Sequence, residues 1–231
     1  MNGMHTSKGA ILFLCLALAA GPAFGQAKTN RPDPVPGARP ATVEHIKIHG
    51  KALEGNLEGD AVDRDAVVIL PPSYGSEPSR RYPVVYALHG YSIGAEQWTH
   101  EIHVPQTIEG AFAKGAKEMI VVLPDAKTVH NGSMYSNSIT TGNFEDYVAY
   151  DVVAYMDAHY RTIADRNSRV LVGHSMGGYG ASRIFSKQPD GFGSRDIMSP
   201  CCMSACGAGP ANPEGERALA ALKTLADCEE L

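Results

Sequence analysis

Residues 169–181 read RVLVGHSMGGYGA. After Arg169, residues 170–172 are a short apolar run. The next five, Gly173-His174-Ser175-Met176-Gly177, match G-x-S-x-G, and residues 175–187 carry the spacing of a helix. A serine between a strand and a helix, with glycine two before and two after, describes a sharp turn that holds a hydroxyl out for chemistry. Side chains at the two glycine positions would collide across such a turn. Upstream, PVVYAL (83–88) and MIVVL (119–123) are unbroken apolar runs, the pattern of strands buried on both faces. Residues 104–115 and 144–160 have helical spacing between those runs, and Pro124 ends the second run. Strands alternating with helices predict an α/β fold, a mostly parallel sheet with helices on both faces. HIKIH (45–49) and AVVIL (66–70) predict two more strands, paired antiparallel at one edge. Residues 125–143 are a polar loop, and Ile197-Met198 closes a further strand before Pro200. Residues 190–196 (DGFGSRD) are too polar for a buried strand; 207–213 read as loop and 214–230 as a charged helix.

The rest of the composition bounds the function. The chain has 231 residues, 44% hydrophobic and 19% charged, with 24 Gly and 15 Pro, which is ordinary globular usage and excludes disordered, collagen-like and coiled-coil classes. A net charge of -5 argues against nucleic acid as a partner. Residues 1–25 read as a signal peptide: Lys8, the apolar run AILFLCLALAA (10–20), a Gly21-Pro22 break and small residues at Ala23 and Gly25. The chain is therefore expected to be secreted or periplasmic, with no membrane contact beyond that leader. Residues 26–42 are Pro-rich and read as a flexible lead-in, and 43–231 as one domain. Past the leader the cysteines are Cys201, Cys202, Cys206 and Cys228. With no histidine nearby, CC-x3-C is a poor metal spacing, so structural pairing or free thiols is expected and no metal. The adjacent Cys201 and Cys202 are not expected to pair with each other.

The chemistry centres on Ser175 as a nucleophile. The first backbone N–H of the helix it opens, that of Met176, is unpaired by construction and sits at the positive end of the helix dipole, ready for an oxyanion. A second donor is expected from the loop that closes strand 83–88, His89-Gly90-Tyr91, with the Tyr91 N–H as the candidate and Gly90 allowing close approach. His89 itself reads as a residue that orders this loop.

These segments resemble the putative-esterase family of α/β hydrolases, which includes feruloyl esterases, enterochelin-type esterases, S-formylglutathione hydrolases and mycolyltransferases. The matching text is LPPSY (70–74), YPVVYALHGY (82–91), IVVLPDA (120–126), GNFEDYV (142–148), DAHYRTIADRNSR (157–169) and GHSMGGYGA (173–181), within residues 45–205. The resemblance implies the α/β-hydrolase fold, a serine esterase working through an acyl-enzyme on Ser175, and an oxyanion hole from Met176 and Tyr91. It implies no cofactor, and an ester substrate that is a small molecule or linked to a polymer; acyl transfer is the sister reading. It also sets residues 133–143 beside the site, and Trp98, Tyr135 and Asn137 are pocket candidates, against core packing for Trp98 and loop hydrogen bonding for the other two.

The sequence departs from that pattern after the serine. A serine hydrolase of this fold uses an acid and then a histidine further along the chain. Seven carboxylates follow Ser175, but all nine histidines lie at or before position 174. The resemblance therefore implies a C-terminally incomplete member, its last strands missing along with the triad acid and histidine, neither of which is identifiable here. Such a chain is either inactive or served by an upstream histidine, with His100 and His103, in the loop after the oxyanion segment, and His130, in the active-site loop, as candidates.

Overall fold

The apolar runs sit at the centre of the sheet, as their lack of alternation requires. The structure is a computed structural model and describes residues 30–203. The expected leader at 1–25, the start of the lead-in, Cys206, Cys228 and the helix expected over 214–230 lie outside those residues.

Six strands form one sheet: β1 Thr42–His49, β2 Asp63–Leu70, β3 Val84–Leu88, β4 Ile120–Pro124, β7 Arg169–His174 and β8 Ser194–Met198, in the order β1-β2-β4-β3-β7-β8. Between β4 and β7, the short strands β5 Asn137–Ser138 and β6 Gly142–Asn143 pair with each other inside the polar loop. β1 pairs antiparallel with β2, and β2 with β4. From β4 through β3 and β7 to β8 every neighbour is parallel. The helices are α1 Ala95–Glu101, α2 Val104–Ala113, α3 Phe144–Asp146, α4 Val153–His159 and α5 Met176–Lys187; a π-helical stretch, Tyr147–Val152, joins α3 to α4.

Period-two alternation sorts the central strands into two faces. Val84, Tyr86, Leu88, Ile120, Val122 and Leu171 face one way and bury against Tyr147, Val148 and Val152 and against Ala181 and Ile184 of α5. Val85, Ala87, Val121 and Leu123 face the other way, against Ala95 and Trp98 of α1. Each fully buried Val, Ile or Leu contributes roughly 1.5–3 kcal/mol.

Two expectations change. The lead-in is docked over its described part: Val35 lies under Gly110 of α2, Arg39 pairs with Glu118 at 3.0 Å, and the Ala41 N–H donates to Glu109 at 2.8 Å. Residues 194–196 lie in β8 with their side chains exposed, in keeping with a stretch too polar for a buried strand, while Phe192 just before it is fully buried edge-on to Tyr86. Residues 95–101, within the loop expected after the oxyanion segment, form a helix. Buried Ala95, Trp98 and Thr99 mark its inner face.

One charge is buried where the long helical segment meets α5. Glu145 is 2% exposed and accepts from Arg183 Nε at 2.8 Å and Lys187 Nζ at 3.3 Å. A buried carboxylate depends on its partners, and the nearer, better-covered one carries more. Arg183→Met is expected to cost about 2–3 kcal/mol in urea unfolding and Lys187→Met under about 1 kcal/mol; equal costs contradict this.

Candidate active site

The turn at Ser175 is tight because three backbones meet there. A Cβ on Gly173 would lie 2.0 Å from the Gly177 carbonyl oxygen, and one on Gly177 would lie 1.9 Å from the Leu88 carbonyl oxygen. Any side chain at either position would force the ends of β3 and β7 away from α5. The chain passes this gap only by placing Ser175 at φ 54°, ψ -115°, directly before the first residue of α5. That backbone is strained for a residue with a Cβ, at a cost of about 1–3 kcal/mol. The Ser175 N–H donates to Met198 at 3.0 Å, and its carbonyl accepts from Tyr179 at 3.1 Å and Cys201 at 3.2 Å. Both ends of the residue are pinned while its side chain points out of the turn.

Gly90 has a different role from the expected one. A Cβ there would sit 3.6 Å from Ser175 Cβ and 3.7 Å from the His174 carbonyl oxygen, ordinary contact distances. The steric demand in this corner falls on Gly177.

The segment bearing Tyr91 is held from below. His89 is fully buried; its Nε2 accepts from the Ala126 N–H at 2.8 Å, so Nδ1 carries the proton and donates to the Gly90 carbonyl at 2.8 Å. The ring thus ties the end of β3 to the end of β4, the loop-ordering role expected of it. Burial, opposed by the Asp125 charge, pushes its pKa below the ordinary 6.5. Asp125 is itself fixed by an ion pair with Arg64 and by accepting from the Ala95 N–H at 3.1 Å. From above, the 128–135 loop touches the side chains of Tyr91 and Met176. The Tyr91 hydroxyl donates to the His130 carbonyl at 2.8 Å and the Ser92 N–H to that of Asn131 at 2.8 Å. A Cβ on Gly132 would meet Met176 Sδ at 2.6 Å and the Tyr91 ring at 2.7 Å.

The three pocket candidates take the other role weighed for each, or one close to it. Trp98 is 6% exposed and packs between the sheet and α1. Tyr135 is fully buried, so it lines no open surface; its hydroxyl donates to the His89 carbonyl at 3.1 Å and its ring fills the space above Gly180 of α5. Asn137 is exposed and its Oδ1 accepts from the Asp146 N–H at 3.1 Å, fastening the start of the long helical segment. Gly132 and Gly180 were missed by sequence reasoning. Gly180 left one signal, a third glycine in GGYG beyond those the turn needs.

The upstream histidines are engaged elsewhere or placed by the backbone. His100 lies on α1, not in a loop, and pairs with Glu96 at 2.7 Å; His130 pairs with Glu58 at 2.9 Å. His103 precedes α2 in a left-handed conformation, φ 51°. Among the described residues, no group of three or more His, Cys, Asp or Glu side chains is arranged to hold a metal ion, and no helix is long and apolar enough to cross a membrane.

Two outcomes follow from this geometry. Ser175→Gly removes the strained Cβ and is expected to stabilise the fold by about 1–2 kcal/mol over Ser175→Ala in denaturant unfolding; equal stabilities contradict strain at the turn. His89 stays neutral in the folded chain at a pH where the unfolded chain takes up a proton. Stability is therefore full above about pH 6.5 and falls as the pH drops below it. His89→Asn is expected to lower stability at pH 7 yet flatten its decline from pH 7 to 5; an unchanged slope contradicts the assignment.

Comparison with known proteins agrees with this geometry. Residues 61–222 match the family described as Putative esterase. An esterase of Mycobacterium tuberculosis is 30% identical over 136 residues, covering 57% of this chain and 28% of that protein. An endo-1,4-beta-xylanase/feruloyl esterase of Xylanibacter ruminicola is 28% identical over 138 residues, 58% of this chain and 19% of its own. A solved ferulic acid esterase superposes with a TM-score of 0.64 at 28% identity, covering 75% of this chain and 64% of that one. The ferulic acid esterase of Anaeromyces mucronatus, bound to ferulic acid, gives 0.55 at 26% identity, covering 72% and 59%. The chain thus spans under a third of the curated relatives it matches. With a glycine-flanked serine turn at the end of a parallel strand and a family match over residues 61–222, the chain belongs to the Putative esterase family and has the α/β-hydrolase fold.

Proposed function

We propose that this chain is a carboxylic ester hydrolase of the secreted or periplasmic space, exported by residues 1–25, with Ser175 as its nucleophile. The observation that carries the reading is the strained Ser175 backbone wedged between Gly173 and Gly177. A fold retains strain of this kind where a site uses it. Ser175 Oγ adds to the ester carbonyl, and the Met176 and Tyr91 N–H groups receive the oxyanion, each worth roughly 3 kcal/mol of transition-state stabilisation. The alcohol leaves, an acyl-enzyme remains, and water releases the acid. The acyl class to try first is a ferulate ester, supported by the two ferulic acid esterases superposed above. Acyl transfer differs only in the acceptor, an alcohol in place of water.

The proton on Ser175 Oγ needs a base, and no histidine follows His174 in the sequence. The same observation favours a second reading, in which the chain alone is inactive for want of the triad acid and histidine.

Added imidazole separates the two. A general base contributes roughly 10²–10⁴-fold, so millimolar imidazole is expected to raise ferulate release by the wild type about ten-fold or more, with little gain in Ser175→Ala. Ser175-dependent release without imidazole also supports the hydrolase and sets the base within the chain. Equal rates for folded wild type and Ser175→Ala at every imidazole concentration overturn the proposal. Adding an alcohol and measuring the new ester against free acid distinguishes transfer from hydrolysis.

A further inference from the structure

Cys201 and Cys202 stand beside the serine turn as two thiols whose sulfurs are 2.8 Å apart. Adjacent cysteines rarely pair, because a trans peptide holds their Cα atoms about 3.8 Å apart while disulfides mostly span 4.4–6.8 Å. An unusual backbone is needed to turn both side chains to the same side. This chain supplies one: Ser199 has φ 42° and Cys202 has φ 58°, both left-handed and both non-glycine. The segment cannot relax freely, since the Cys201 N–H donates to the Ser175 carbonyl at 3.2 Å and Pro200 lies against Gly178 of α5. The two sulfurs are held closer than unbonded sulfurs ordinarily sit.

We infer that Cys201 and Cys202 form a dithiol modification site that reacts with low-molecular-weight disulfides and closes to an eight-membered ring beside Ser175. Cys202, the exposed member, reacts first. Its thiol gives a proton to water, and the thiolate attacks one sulfur of the small disulfide, forming a mixed disulfide and expelling one small thiolate. Cys201 loses its proton in turn and attacks the Cys202 sulfur. The Cys201–Cys202 bond forms and the second small thiolate leaves. Two protein thiols give up two electrons and two protons; the small disulfide takes them up as two thiols. Proximity favours the second step over escape of the mixed disulfide. Burial and the neighbouring Cys202 push the Cys201 thiol up to about 11, which leaves the first attack to Cys202.

The consequence reaches the serine. The Cys201 backbone is hydrogen-bonded directly to the Ser175 carbonyl. Ring closure removes the Cys201 thiol proton and locks the segment that is bonded to the Ser175 carbonyl, so the backing of the serine turn changes with redox state. This chemistry stands whether or not the ester hydrolase reading holds.

The site is tested by exposing the folded full-length chain to oxidised glutathione, blocking remaining thiols with iodoacetamide and cleaving at methionine with cyanogen bromide. Met198 and Met203 bracket the pair, so residues 199–203 are released with no other cysteine. The expected fragment is two hydrogens lighter than the dithiol and carries neither alkyl group nor glutathione. Dithiothreitol before blocking restores two alkylated thiols, and a chain oxidised in urea gives little of the ring. A fragment joined to one holding Cys206 or Cys228, left as a glutathione adduct, or alkylated at both cysteines overturns the inference. A Cys202→Ser chain serves as the control and is expected to form no ring.

Discussion

Gly177 passes so close to the Leu88 carbonyl that no side chain fits between them, and much of the molecule follows from that contact. It brings the first turn of α5 against the end of β3, and the chain leaves β7 with only one residue in which to turn. Ser175 takes the positive φ that results. The conformation that strains the serine also aims the start of α5 at the space above it, so nucleophile and oxyanion donor come from one steric constraint. An α/β sheet places such turns at the carboxyl ends of its parallel strands, where loops converge.

The constraint needs rigid support on both sides. Below, His89 joins the ends of β3 and β4 with one proton fixed on Nδ1, and Arg64 with Asp125 fixes the chain after β4. Above, Tyr135 reaches from the polar loop to the His89 carbonyl while its ring rests on Gly180. Each of these groups is partnered and all but the partly buried Asp125 are buried, so hydrogen bonds offset their desolvation and specify one arrangement. The loop at 128–135 is polar in sequence yet well anchored, because its backbone and hydroxyls bond to each other and to the Tyr91 segment.

Much of this was legible in the residues. Unbroken apolar runs at 83–88 and 119–123 marked strands covered on both faces, and G-x-S-x-G marked the turn, since few other arrangements need two glycines around a serine. What escaped depends on contacts distant in sequence. Trp98 and Tyr135 are large amphipathic side chains that suit a pocket or a core equally, and only the sheet face beneath them decides. The α1 helix is about two turns long, too short for periodicity to stand out. The polar stretch before Met198 is a strand whose side chains are exposed, so no apolar pattern marks it. The closeness of Cys201 and Cys202 rests on positive φ values at Ser199 and Cys202, which no propensity forecasts for those residue types.

The central claim is that the turn presents Ser175 as a nucleophile. A fluorophosphonate probe asks this directly, since it needs a reactive serine and little substrate fit. The purified chain would be shown to be folded by circular dichroism, incubated with the probe in millimolar imidazole beside Ser175→Ala, and mapped by peptide mass. The account predicts a single adduct on Ser175, absent from the alanine variant. A folded chain that takes no probe, or takes it on another residue, would contradict it.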